Sequence, residues 1–298
     1  MKHYIFILAI FFAFSCDKVD DPFGDQVKTD EGCVEPTFPP NTNTKRNILL
    51  EDFTGHLCNN CPGAAYVIDT IKGSLGKQII PVAIHVTPQF AAPDPSKAPK
   101  YQTDFRTDGG DKIKLNIAPA AGLPALMVSR VDTFNTPPRF NLSIYTTSSA
   151  VRKIVNDAPV VNLQIITSFD PASGLVCAFS ETEVLSTLAD DHSVVFMLLE
   201  DSIVDYQLFN GVGGDPIYGS SARDIPDYVH KHVLRKSMNN WDGEKIITGG
   251  SNAVGDKIIS SASYTITESN WRKNHLEVVA FVYNNRTKEV MQATRAKL

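Results

Sequence analysis

The stretch Asp52-Phe53-Thr54-Gly55-His56-Leu57-Cys58-Asn59-Asn60-Cys61-Pro62 decides how this chain is read. Ahead of it runs an apolar strand candidate, Ile48 to Thr54. Behind it, Pro62 to about Ser74 places Ala65, Ile68 and Ile71 on one side at helical spacing. The C-x-x-C therefore sits where a strand turns into a helix, with the first cysteine expected at the helix N-terminus. Unpaired N–H groups and the positive end of the helix dipole favour a thiolate there. A thiolate attacks disulfides, and the second cysteine, one turn deeper, can close the ring. Pro62 fits the first helical turn, where its missing N–H matters little. Other chemistries use the same spacing. The pair could be half of a zinc site completed by His56 or His85, although no second paired-ligand motif is present. Haem attachment needs a histidine after the second cysteine, and Pro62 stands there. A static structural disulfide in an oxidising compartment stays open beside the redox reading.

Outward from this motif, strands alternate with helices. Gln78 to Val86 reads as a second strand, Ala125 to Val131 as a third, and about 140–156 as a closing helix, with a polar, Pro- and Gly-rich insertion over about 87–117. This pattern predicts an α/β domain over 47–157. After Pro159 the pattern becomes β-rich. Val160 to Thr167, Leu175 to Glu183, Ser193 to Glu200, His230 to Arg235, Lys257 to Thr267, Leu276 to Tyr283 and Glu289 to Thr294 are strand-like runs separated by turn signals. Seven short strands with little helix predict an all-β second domain, an immunoglobulin-like β-sandwich over 158–298.

The N-terminus reads as an address. A short basic start precedes an unbroken apolar run from Tyr4 to Phe14. Crossing a membrane takes about 20 apolar residues, so this run suits a secretory signal over 1–15 instead. Residues 16–46, rich in Pro, Gly, Asn and Thr without an apolar period, read as a tether.

Three resemblances follow. Ala13-Phe14-Ser15-Cys16 resembles a bacterial lipoprotein box, which implies cleavage before Cys16 and a lipid anchor on it; Phe14 is bulkier than usual there. Asp17-Lys18-Val19-Asp20-Asp21 resembles an acidic tag that carries lipoproteins to the outer face of the outer membrane, and is equally a solvated linker. Asp52 to Cys61 resembles the active-site strand and turn of the thioredoxin family, including the six positions from the strand Asp to the first Cys. That resemblance implies Cys58 as nucleophile, Cys61 as resolving thiol and a buried Asp52 that accepts its proton. It also implies a cis-proline wall facing the cysteines, for which Pro124 in Gly122-Leu123-Pro124-Ala125 is placed. The sequence departs from that family in Leu57, where a Trp is usual, in Asn59-Asn60, and in the long insertion.

Over nearly everything after the tether, the chain resembles the Omp-twenty-eight-related outer-membrane proteins. Tyr228-Val229-His230-Lys231-His232-Val233-Leu234-Arg235 and Val279-Ala280-Phe281-Val282-Tyr283-Asn284 carry this likeness together with the motifs above. It implies an outer-membrane location, on the periplasmic face or the cell surface, and this pair of domains. It implies no settled activity.

Composition limits the alternatives. The 298 residues are 43% hydrophobic and 20% charged with net charge −5, so disorder is excluded and the electrostatic footprint of a nucleic-acid binder is missing. No sequence pattern calls for a cofactor or a metal. His230 and His232 would share one strand face, Gly211-Val212-Gly213-Gly214 lacks the Lys-Ser/Thr of a phosphate loop, and Trp241 and Trp271 read as packing anchors. Cys177 reads as a small buried hydrophobe, and Cys33 has no assigned partner. Two functions stand: an exported thiol–disulfide oxidoreductase acting on exported proteins, or a surface binding, adhesion or structural lipoprotein in which Cys58–Cys61 is static.

Overall fold

The computed structural model describes residues 32–118, 122–132, 146–211, 221 and 223–298. The expected signal, the lipidation residue Cys16 and the acidic tag lie outside the described residues. Among the described residues, no helix is long and apolar enough to cross a membrane.

The fold is a mixed α/β structure built on one large sheet. Strand β1 (Ile48–Thr54) leads through the C-x-x-C turn to α1 (Cys61–Leu75), and β2 (Ile79–His85) returns parallel to β1. A short helix α2 (Pro88–Ala91) and the longer α3 (Asp108–Ile117) occupy the expected insertion. Strand β3 (Ala125–Val128) pairs antiparallel with the other edge of β1, and α4 (Thr147–Ile154) follows. Then come β4 (Val161–Asp170), β5 (Leu175–Val184), β6 (His192–Glu200), β7 (Ile203–Phe209), β8 (Arg223–His230), β9 (Val233–Ser237), β10 (Glu244–Ile247), β11 (Lys257–Thr265), β12 (Leu276–Asn284) and β13 (Val290–Lys297).

The two stretches expected as separate domains share the sheet, whose order is β13-β12-β6-β9-β2-β1-β3 with β10 on β6. The junction is β2 to β9, at Ala83 opposite Val233, supported by a bond from the Ala83 N–H to the His232 carbonyl at 2.8 Å. The β-rich stretch over 158–298 places two sheets face to face, but the larger of them continues into the strands of 47–157. Only β11-β5-β4 makes a separate three-stranded sheet, and β7-β8 is a hairpin of its own. The physical reason lies in burial. Strands β1, β6 and β12 are buried along their whole length, as strands covered on both faces must be. One face of the large sheet presents Leu49, Ile84, Met197 and Phe281 to the α3 side. The opposite face packs Ile48 and Leu50 on α1 and α4, and further along packs Phe196 and Ala280 on Val176 and Ala178 of the three-stranded sheet.

Two local readings differ. The run His230 to Arg235 is not one strand, because His232 turns the chain at φ +53° between β8 and β9. His230 and His232 therefore do not share a strand face. The described part of the tether is also fastened down. Cys33 is disulfide-bonded to Cys177 on β5, and the Pro39 carbonyl accepts from Gln164 of β4. Cys177 is a cross-link, not a free small hydrophobe, because the N-terminal segment runs back along the three-stranded sheet.

Candidate thiol–disulfide site

Cys58 and Cys61 are bonded to each other. Cys61 is the first residue of α1 with Pro62 behind it, so the second cysteine, rather than the first, occupies the helix start. Cys58 lies in the preceding turn, held by bonds from the Cys58 N–H to the Gly55 carbonyl at 2.9 Å and from the Cys61 N–H to the Cys58 carbonyl at 3.2 Å. Gly55 is required there: a Cβ would strike the Phe90 carbonyl, which itself accepts from the Leu57 N–H at 2.9 Å.

The pair is covered. Both cysteines are 2% exposed. Strand β7, about 150 positions downstream, straps the turn. Gln207 donates from Nε2 to the Cys58 carbonyl at 2.9 Å, the Leu208 N–H to the His56 carbonyl at 2.8 Å, and the Asn210 N–H to the Asn59 carbonyl at 3.1 Å. Sequence reasoning missed this strap. Its only signal was the alternation in Ile203-Val204-Asp205-Tyr206-Gln207-Leu208-Phe209, which does not say where the strand lies.

Asp52 sits inside β1, opposite Ala83 on one side and Leu126 on the other. It is 4% exposed, Oδ1 has no hydrogen-bond partner, and burial pushes its carboxyl up to about 7. Asp52 and Pro62 line one cavity of about 300 Å3 with Tyr66, His85, Gln207 and His230. The Leu123–Pro124 peptide is cis, and Pro124 is half-buried immediately before β3.

Histidines form the cavity's far wall. The Phe105 ring stacks 4.8 Å from His85 and 4.9 Å from His230, and the two imidazoles are 5.5 Å apart. Burial holds His85 well below its ordinary range and His230 at about 4, so both rings are neutral near pH 7. His56 is fully buried against Tyr101 and Phe105 and contacts the Ala92 carbonyl through Nε2 at 3.0 Å, with its pKa lowered by burial. Its Nδ1 is buried without a hydrogen-bond partner. With those sulfurs joined, the expected zinc alternative has no thiolates to offer, and among the described residues no three His, Cys, Asp or Glu side chains converge on a metal position.

Trp241 packs half-buried on the core beside α3, and the Trp271 ring is covered by the Arg235 guanidinium at 5.5 Å. Of the Gly211–Gly214 run only Gly211 is described.

Comparison with known families matches residues 150–298 to the family described as outer membrane protein Omp28. No curated protein matches the chain. Among solved structures, a domain of the outer membrane lipoprotein Omp28 from Porphyromonas gingivalis is similar over 47% of this chain and 88% of that one, at 17% identity and TM-score 0.31. A protein from Agrobacterium tumefaciens is similar over 84% of this chain and 93% of its own, at 11% identity and TM-score 0.42.

Proposed function

The chain belongs to the Omp28 family of outer membrane proteins, and we propose that it is a lipid-anchored member whose thioredoxin-like Cys58–Cys61 pair exchanges disulfides with exported proteins. Asp52 carries this reading. A carboxyl buried in the middle of a strand, with no cation beside it and an oxygen without a partner, costs stability. A static disulfide has no use for it. A thiol pair that must gain and lose a proton does, and a carboxyl near 7 is half ionised at neutral pH.

In the oxidised protein a client thiolate attacks Cys58 Sγ. A client–Cys58 disulfide forms, the Cys58–Cys61 bond breaks, and Cys61 leaves with the electron pair and takes a proton from Asp52. The second client thiolate then attacks the client sulfur of the mixed disulfide and releases Cys58 as thiolate. The client is oxidised to a disulfide and the protein is reduced to a dithiol. Exchange with the disulfide of a second exported protein, which is reduced to a dithiol in turn, returns the pair to its starting state.

One observation supports the static alternative: both sulfurs are covered and β7 clamps the turn. Exchange therefore requires the turn to open. The discriminating experiment follows oxidation of a dithiol peptide by the purified full-length protein as a function of pH. The redox reading expects a rate with an inflection near 7 that Asp52→Asn removes. No oxidation at any pH, with the peptide in excess, would leave the structural reading.

A further inference from the structure

The far end of α1 borders a second cavity, of about 710 Å3, that the disulfide chemistry does not use. Lys72 lies 11 positions beyond Cys61 on α1, which separates the two sites by about 16 Å along the helix. Lys45, Lys72, Lys77, Arg295 and Lys297 line this cavity, against only two carboxylates, Asp201 and Glu277. In a chain of net charge −5, five cations converge on one concave surface. A concave site between low-dielectric walls focuses such a field.

The carboxylates are already engaged. Glu277, 4% exposed, takes the His232 Nδ1 at 2.7 Å on one oxygen and the Arg295 guanidinium at 3.4 Å on the other. The Asp201 carboxylate accepts from the His232 N–H at 3.4 Å and from the Ser202 N–H at 2.8 Å. The His232 ring sets Nδ1 against Glu277 and turns Nε2 to the cavity. Lys72 donates to it at 2.7 Å. The half-buried ammonium thus rests on an imidazole nitrogen instead of a carboxylate, and it keeps donors to spare. Burial, and then Arg295, lower the Lys72 pKa, so an anion in the cavity would restore what the site has removed. Among the described residues Lys45, Lys77 and Lys297 have no carboxylate partner.

We propose that this cavity binds the phosphate group of a small polar ligand, with Lys72 and Arg295 as its inner contacts and Lys45, Lys77 and Lys297 as its rim. Charge decides the class: a phosphate monoester carries close to two negative charges at neutral pH and several acceptor oxygens. Volume decides the size, since 710 Å3 greatly exceeds inorganic phosphate and suits a phosphorylated sugar. Such a phosphate reaches the site free in solution or on a lipid headgroup, and the chemistry is shared.

Isothermal titration of the full-length protein tests this with glucose 1-phosphate and with glucose. Flotation with phosphatidylcholine vesicles, with and without phosphatidylinositol 4-phosphate, provides the lipid arm. The expected result is saturable binding of at least one phosphorylated probe and none of its unphosphorylated counterpart. Lys72→Gln should weaken it by about tenfold or more. The exposed double variant Lys77→Gln with Lys297→Gln leaves the core untouched and should weaken it as well. Binding of the free probe alone identifies a soluble ligand, and vesicle binding alone a membrane-borne one. Absence of binding in both arms, equal binding of glucose, or an unchanged affinity in the exposed double variant would overturn the proposal.

Discussion

Gln207 on β7 donates a hydrogen bond from Nε2 to the carbonyl oxygen of Cys58 at 2.9 Å, and the same amide reaches the Gly55 carbonyl at 3.3 Å. A buried side chain from the second half of the sequence thereby fixes the turn that carries the disulfide. Both cysteines of that turn are 2% exposed, so a reductant reaches them only when the turn opens, and opening the turn strains the Gln207 contact.

Removing that amide should open the site. Gln207→Ala leaves the turn carbonyls without their donor, a loss of about 1–3 kcal/mol for a buried acceptor. We expect reduction of Cys58–Cys61 by a small thiol to quicken by roughly tenfold, measured by mass-tagging of freed thiols over time under native conditions. If reduction instead waits for global unfolding, its rate will track stability across unrelated core variants and show no special response at Gln207.

Asp52 and His230 should pull the pH dependence of stability in opposite directions. The folded Asp52 carboxyl keeps its proton up to about 7, whereas the unfolded chain releases it near its ordinary value, about 4. The folded state then binds more protons in that window, and stability is lost as pH rises through it. The folded His230 stays neutral down to about 4, whereas the unfolded chain takes up a proton near about 6.5, so stability is lost as pH falls through that window. Urea unfolding across the range should show Asp52→Asn gaining on the wild type by up to about 1.4 kcal/mol per pH unit as pH rises from about 4 to 7. His230→Phe should flatten the acid side. A pH-independent difference between Asp52→Asn and wild type would contradict a buried, unpaired carboxyl.

The core of the site was legible in sequence because it is local. The apolar run of β1, the 3.6-residue period of α1 and the C-x-x-C between them are all set by neighbours within a few positions, and β1 has the expected bounds. The burial expected of Asp52 from its six-position offset from Cys58 is present, at 4% exposure. What escaped was long-range. β7 bonds to a turn about 150 positions upstream. β9 joins β2 through a short contact at Ala83 and Val233. Cys33 pairs with Cys177 across 144 positions. A buried strand reads the same whether it enters its own sheet or another's, and cysteine connectivity is not written in spacing. The Glu277 partner of His232 went unseen for the same reason, since it lies 45 positions away on β12.

The two disulfides should differ in structural weight. In the chain-entropy view, a cross-link closing 144 positions contributes about 5 kcal/mol, and one closing a four-residue ring about 2 kcal/mol. Replacing both Cys33 and Cys177 by Ser should lower the urea midpoint more than replacing both Cys58 and Cys61, and should steepen the slope as the released unfolded chain expands. The reverse order would make the C-x-x-C the principal staple of the fold and weaken the case for its turnover.

The most direct measurement is covalent capture. Thiol–disulfide exchange runs both ways: a Cys58 thiolate that attacks a client disulfide forms the same mixed disulfide, and only Cys61 can then displace the client, so Cys61→Ser should accumulate mixed disulfides in cells, seen as high-mass bands on non-reducing gels that collapse on reduction. Cys58→Ser should accumulate few. The account predicts adducts specific to Cys61→Ser from a protein that remains folded. Equal absence of adducts from both folded variants would contradict it and leave Cys58–Cys61 as a static cross-link.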